Sequence, residues 1–145
     1  MDRIALDASV IAVPYLPEVY SDWVRKRVEE YDEYHVLDLT LYELCNVLWK
    51  RAYLTHELRM ERVEVLWRNI ERFVEILCAM HRYDEVLNQA LGIALTYGIT
   101  IYDASYVALA RRVGVKLATL DRKLVQRLGR IDLCNVLVHP VLRRE

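Results

Sequence analysis

One alternation constrains this chain more than any other feature. Short apolar stretches with the character of strands are followed by residues with helical periodicity. Arg3–Leu6, Tyr34–Leu39, Lys116–Leu120 and Cys134–Val138 read as strands. Between them come a short helix from Ser9, a second that Pro17 can open and that runs through Ser21–Tyr31, and a third from Thr40 to about Tyr53. A long helix follows from Thr55 to about Leu77, with Leu58, Val65, Leu66, Ile70, Phe73 and Leu77 on one face. Its last residues, FVEILCAM, also suit a short strand. Further helices are expected over Tyr83–Tyr97, Asp103–Val113 and Arg122–Leu128. Gly98, Gly114 and Gly129 each stand just past a helix end, where a left-handed residue closes the helix. Strands alternating with helices pair in parallel. The expected architecture is one three-layer α/β/α domain over residues 1–145, built on a parallel sheet of four to five strands.

The chain is large enough for this. A chain of 145 residues buries roughly 68–70 % of its unfolded surface. Hydrophobic residues make up 54 % and charged residues 28 %, which excludes a disordered chain. A net charge of −1 announces no nucleic-acid partner, although the basic residues are mostly arginine, which suits phosphate contacts and thermophilic composition alike. Cys45, Cys78 and Cys134 form no CxxC and have no histidines at zinc spacing, so buried reduced thiols in a cytoplasmic protein are expected. No stretch reads as a membrane span, and the N-terminus lacks the pattern of a signal peptide.

Four acids stand where strands run into helices or just beyond: Asp7 in IALDAS, Glu43 in LDLTLYEL, Asp103 in ITIYDAS and Asp121 in KLATLD. In an open parallel sheet the carboxyl ends of the strands converge on one crevice. One pair of carboxylates at ~4 Å costs about 4 kcal/mol at an effective dielectric of ~20. A cluster of four calls for a compensating charge, and a divalent cation with oxygen ligands supplies it. Each acid also has a plain structural reading. TLYE is a capping box, in which Glu43 satisfies the first amide of a helix begun by Thr40. Asp7, Asp103 and Asp121 suit helix N-caps. A cap, however, is equally well made by Ser, Thr or Asn, and every one of these junctions carries a carboxylate.

Other chemistries have less support. There is no GxSxG elbow and no Gly-rich phosphate loop. His35, His56, His81 and His139 are not spaced as metal ligands, and no role falls to them; His35 and His139 belong at strand edges, and His56 opens the long helix. A receiver domain would carry two adjacent acids after its first strand, whereas Ala8 and Ser9 follow Asp7. Arg122 and Lys123 either hold a substrate phosphate at the crevice rim or form a solvated helix face. Arg111, Arg112, Arg143 and Arg144 read as solvated. Trp23, Trp49 and Trp67 read as core or subunit-interface residues.

The segments IALDASVI, LTLYELCNVLWK, TIYDASYVALARRVG and LATLDRKL resemble the PIN domain, and in particular the toxin ribonucleases of the VapBC type. The resemblance runs the length of the chain in order. Asp7, Glu43, Asp103 and Asp121 match the family's metal-binding acids one by one, and Asn46 and Thr119 match positions that the family often fills with polar residues. It implies a Mg2+- or Mn2+-dependent endoribonuclease, a homodimer, and inhibition by a cognate VapB-type antitoxin. Asp7, Glu43 and Asp103 would hold the principal cation, and Asp121 would support it or a second one. Hydrolysis of RNA would leave a 5′-phosphate and a 3′-hydroxyl. Two other readings stay open: a PIN nuclease of RNA processing or DNA-end trimming, and a non-catalytic α/β binding module whose acids are only caps.

Overall fold

In the computed structural model, which describes residues 1–129 and 137–140, the apolar stretches form five parallel strands. They are β1 (Arg3–Leu6), β2 (Glu33–Leu37), β3 (Cys78–His81), β4 (Lys116–Ala118) and β5 (Leu137–Val138), in the order β3-β2-β1-β4-β5. Helices α1 (Ala8–Ile11) and α2 (Ser21–Val28) connect β1 to β2. From β2 the chain passes through α3 (Asp38–Trp49), a π-helical turn (Lys50–Leu54) and α4 (Met60–Leu77) to β3. A 3-10 turn (Tyr83–Glu85), α5 (Leu87–Tyr97) and α6 (Ile101–Val113) lead to β4, and α7 (Arg122–Leu128) follows it.

The two-residue period of the strands sorts their side chains into two cores. Ile4, Leu6, Val36 and Ala118 pack with α1 to α4; Ala5, Leu37 and Leu117 pack with α5 to α7. These are the outer layers of the expected α/β/α sandwich. Helix α6 lies against β1, β2, β4 and α5, which explains why every residue from Ala104 to Ala110 is buried. Among the described residues no single helix is long and apolar enough to cross a membrane.

Several boundaries depart from the sequence expectation. Strand β2 stops at Leu37, and α3 opens at Asp38 because Thr40 Oγ1 accepts from Leu37 N at 3.1 Å, one turn back. Helix α2 starts at Ser21, four residues beyond Pro17. The long helix starts at Met60; His56 lies before it, in the connecting loop, with a left-handed φ of 55°. Its inner face is Val63, Leu66, Trp67, Ile70, Phe73 and Val74, while Val65 and Leu77 are exposed. FVEILCAM divides, as helix to Leu77 and strand from Cys78. Strand β4 ends at Ala118, two residues short of Leu120. Gly98 and Gly114 are left-handed (φ 66° and 76°), whereas Gly129 keeps a right-handed φ of −64°. Cys45 is exposed and Cys78 half-buried, so neither is the buried thiol expected, and Trp49 is exposed and stacked on Tyr53. Cys134, the start of the last strand, Arg143 and Arg144 lie outside the described residues.

Candidate functional site

The strand order locates the site. The chain builds outward from β1 to β2 and β3, then returns to the other side of β1 to place β4. Connections leaving the carboxyl ends of β1 and β4 therefore part in opposite directions, and a crevice opens between them. Asp7 directly follows β1 and Asp121 stands three residues past β4. Glu43 reaches the same place from the second turn of α3, and Asp103 from the first turn of α6. All four acids line one open crevice of about 480 Å3.

Asp7 is the most constrained. Its carboxylate caps α1 by accepting from Val10 N at 3.3 Å. Ser9 Oγ donates to Oδ1 and Thr119 Oγ1 donates to Oδ2, each at 2.5 Å. Those hydroxyls in turn accept from the backbone, Ser9 from Leu120 N and Thr119 from Asp121 N, both at 3.0 Å. Two hydroxyls thus tie the acid after β1 to the segment after β4. Only 8 % of Asp7 is exposed, and burial pushes its carboxyl up to about 6 against the three hydrogen bonds, with the charge of Glu43 adding a little more.

Glu43 is not a cap. Its Oε1 accepts from Tyr106 Oη of α6 at 2.5 Å. Burial, and less so the charge of Asp103, raise its carboxyl while Tyr106 lowers it. Asp103 is not a cap either: Thr100 occupies that position and accepts from Asp103 N at 3.1 Å, which leaves the Asp103 carboxylate to face the crevice. Burial and the charge of Asp121 raise it. Asp121 does cap, accepting from Lys123 N and Leu124 N at 2.9 and 3.2 Å. The cap reading is therefore right for Asp7 and Asp121, which also face the crevice, and wrong for Glu43 and Asp103.

Among the described residues none of the four acids has an ion-pair partner. Four hard oxygen donors whose charges are uncompensated suit Mg2+ or Mn2+, and thiolate or imidazole donors for a softer ion do not line the crevice. As they stand, no three His, Cys, Asp or Glu side chains among the described residues converge tightly enough to ligate one ion directly. Mg2+ tolerates that, because it keeps several waters and needs only one or two carboxylates.

Asn46 lines the crevice with Glu43, and Thr119 acts from behind by orienting Asp7. Arg122 and Lys123 are exposed and do not line it, in keeping with the solvated-face reading. Ser9, Thr40, Tyr106, Tyr42, Tyr102 and Lys50 carry the site's hydrogen bonds or form its walls, and sequence reasoning misses all six as site residues. A hydroxyl two residues after Asp7 is the available signal for Ser9. For Tyr106, placed on a fully buried stretch of helix, there is none.

An α/β/α domain with an acid-lined crevice at its strand-order reversal defines a class, and the PIN domain model matches residues 4–130. The chain belongs to the PIN-domain family, in its VapC branch. It is 42 % identical over 128 residues to Ribonuclease VapC3 of Pyrobaculum aerophilum, covering 86 % of this chain and 94 % of that protein. It is 33 % identical over 136 residues to Exonuclease VapC9 of the same organism, covering 92 % of each. The structure of FitAB bound to a DNA fragment shares the fold, with a TM-score of 0.68 over 98 % of both chains at 21 % identity.

Proposed function

We propose that this protein is a Mg2+- or Mn2+-dependent endoribonuclease, the toxin of a VapBC-type toxin–antitoxin pair in the cytoplasm. The observation that carries the reading is the meeting of Asp7, Glu43, Asp103 and Asp121, from four separate segments, on one crevice without a cationic partner among the described residues. Names of similar proteins, Ribonuclease VapC3 above all, support it.

Asp7, Glu43 and Asp103 would hold the principal cation, with Asp121 supporting it or a second. Such a cation lowers the pKa of water and neutralises charge developing on phosphoryl oxygens. The chain's own residues prepare for this. Tyr106 stabilises the ionised form of Glu43. Ser9 and Thr119 fix the plane of the Asp7 carboxylate, so its orientation is set in advance. Hydrolysis would leave a 5′-phosphate and a 3′-hydroxyl.

The test is cleavage of labelled RNA with Mg2+, Mn2+ or EDTA, comparing the parent with Asp103→Asn. Metal-dependent cutting that vanishes in the variant is expected; equal cutting by both would overturn the assignment. One relative is named an exonuclease, so the substrate should include a circular RNA, which only an endonuclease can open. Expression alone should arrest growth and a co-expressed antitoxin should relieve it, which separates a toxin from a processing nuclease. A homodimer is supported by the exposed row Leu87, Leu91 and Leu95 along α5, and light scattering would report it.

A further inference from the structure

The crevice carries one cation and two aromatic rings to which the hydrolytic acids give no work. We propose that Lys50, Tyr42 and Tyr102 form a positioning edge for single-stranded RNA, with Lys50 on a backbone phosphate beside the scissile one and the tyrosine rings against the flanking bases. This rests on the nuclease reading of the same crevice.

Lys50 is the one basic residue among those lining the crevice. Glu43, Asn46, Val47 and Lys50 follow one another at helical spacing, so they share one face, and all four line the crevice. At Lys50 the helix widens into its π turn, closed by Thr55 N donating to Lys50 O at 3.0 Å, a distortion that recurs at functional sites. The neighbouring Arg51 is instead engaged by Glu57, at 3.1 Å. Lys50 has no ion pair among the described residues, although four carboxylates line the same crevice. It is thus placed at the acid cluster without neutralising any member of it, as a group meant for a ligand's charge would be.

The tyrosines bracket the acids. Tyr42 adjoins Glu43 in sequence and Tyr102 adjoins Asp103; they are 79 % and 56 % exposed, and both line the crevice. Neither makes a side-chain hydrogen bond among the described residues. Exposed rings beside a phosphate-cleaving centre are platforms for bases, and only unpaired bases offer their faces to them. A duplex keeps its bases stacked inside, so the edge selects single strands.

The test is steady-state cleavage of a fluorescent single-stranded RNA of about 12 nucleotides with Mn2+, at several salt concentrations. Lys50→Ala should raise KM roughly three- to tenfold with little change in kcat, and flatten the salt slope by about 0.7, the share of one phosphate contact on a single strand. Lys50→Arg should restore both. Tyr102→Ala and Tyr42→Ala should raise KM roughly tenfold, whereas the Phe variants keep the stacking face and the parent KM. Lys26→Ala, on an exposed face of α2, should behave as the parent. The same bases placed in a hairpin stem should resist cleavage. Parent KM and salt slope in Lys50→Ala, or equal cutting of stem and single strand, overturns the positioning edge while leaving the nuclease intact. Failure of the parent to cut any RNA, with Asp103→Asn indistinguishable from it, overturns the nuclease reading and the edge together.

Discussion

Tyr106 on α6 donates its phenolic proton to Glu43 on α3 at 2.5 Å, joining residues 63 apart in the chain. The bond is the last link of a thread. Leu37 N donates to Thr40 Oγ1 at 3.1 Å, Thr40 donates to Tyr106 Oη at 2.8 Å, and Tyr106 donates to the acid. Burial first, then the charge of Glu43, push the phenol far above its ordinary value, so Tyr106 never surrenders its proton and acts as a permanent donor.

Tyr106→Phe should therefore raise the Glu43 carboxyl further, because the hydrogen bond from Tyr106 is what lowers it. Mn2+ affinity at neutral pH should fall, and the pH at which binding half-develops should move up. Stability should drop by about 1–3 kcal/mol, since the Thr40 hydroxyl loses its buried partner. Calorimetric titration across pH, with urea denaturation, reads both effects.

Metal-free protein should lose stability as pH rises through the range between the ordinary carboxylate value and about 6. Asp7 binds its proton more tightly folded than unfolded, so its contribution is fully present below about 3.8 and gone above about 6. A rise of that size is worth roughly 3 kcal/mol. Asp7→Asn lacks only the Asp7 share of this slope: its unfolding curves in EDTA should depend on pH less steeply than the parent's, with the share of Glu43 and Asp103 remaining, and it should melt at or above the parent at neutral pH. An identical pH slope in both proteins would mean Asp7 is not buried as described.

Thr119→Val should remove a donor to Asp7 and leave the Asp121 amide without its acceptor. The expected cost is about 1–3 kcal/mol. The Asp7 carboxyl should titrate above its parent value, since that hydrogen bond lowers it. NMR titration of the Asp7 side-chain carbon is the direct measurement.

Mn2+ should raise the melting temperature at neutral pH, by mass action on the folded state, and EDTA should reverse it. The shift should shrink below about pH 6 as Asp7 takes up its proton. In Asp103→Asn it should be smaller at every pH. Thermal melts followed by circular dichroism decide this; an equal shift in parent and variant would place the ion elsewhere.

What the sequence determined by itself was the order of most elements and the choice of four acids at strand-to-helix junctions as candidates. Strands β1 and β4 and helix α7 were legible because short apolar runs and a capping aspartate are local signals. So was the placement of Asp7 directly after β1, and of Asp121 at the start of α7, three residues past β4. Local signals failed where a residue's role depended on a distant partner. TLYE has the pattern of a capping box, yet Thr40 instead reaches back to Leu37 and Glu43 reaches across to Tyr106. Asp103 has the form of an N-cap, yet Thr100 holds that position. Val65 and Leu77 fit an apolar stripe on paper, but the packing of α4 turned Val74 inward.

Only the tertiary structure decided that the four acids share a crevice, because their meeting follows from placing β4 on the far side of β1. It also decided that Ser9 and Thr119 clamp one acid, that Tyr106 holds another, and that Lys50, not Arg122 or Lys123, lines the crevice beside them. These relationships span dozens of residues, and helix and strand periodicity carries no information about which faces meet across the sheet.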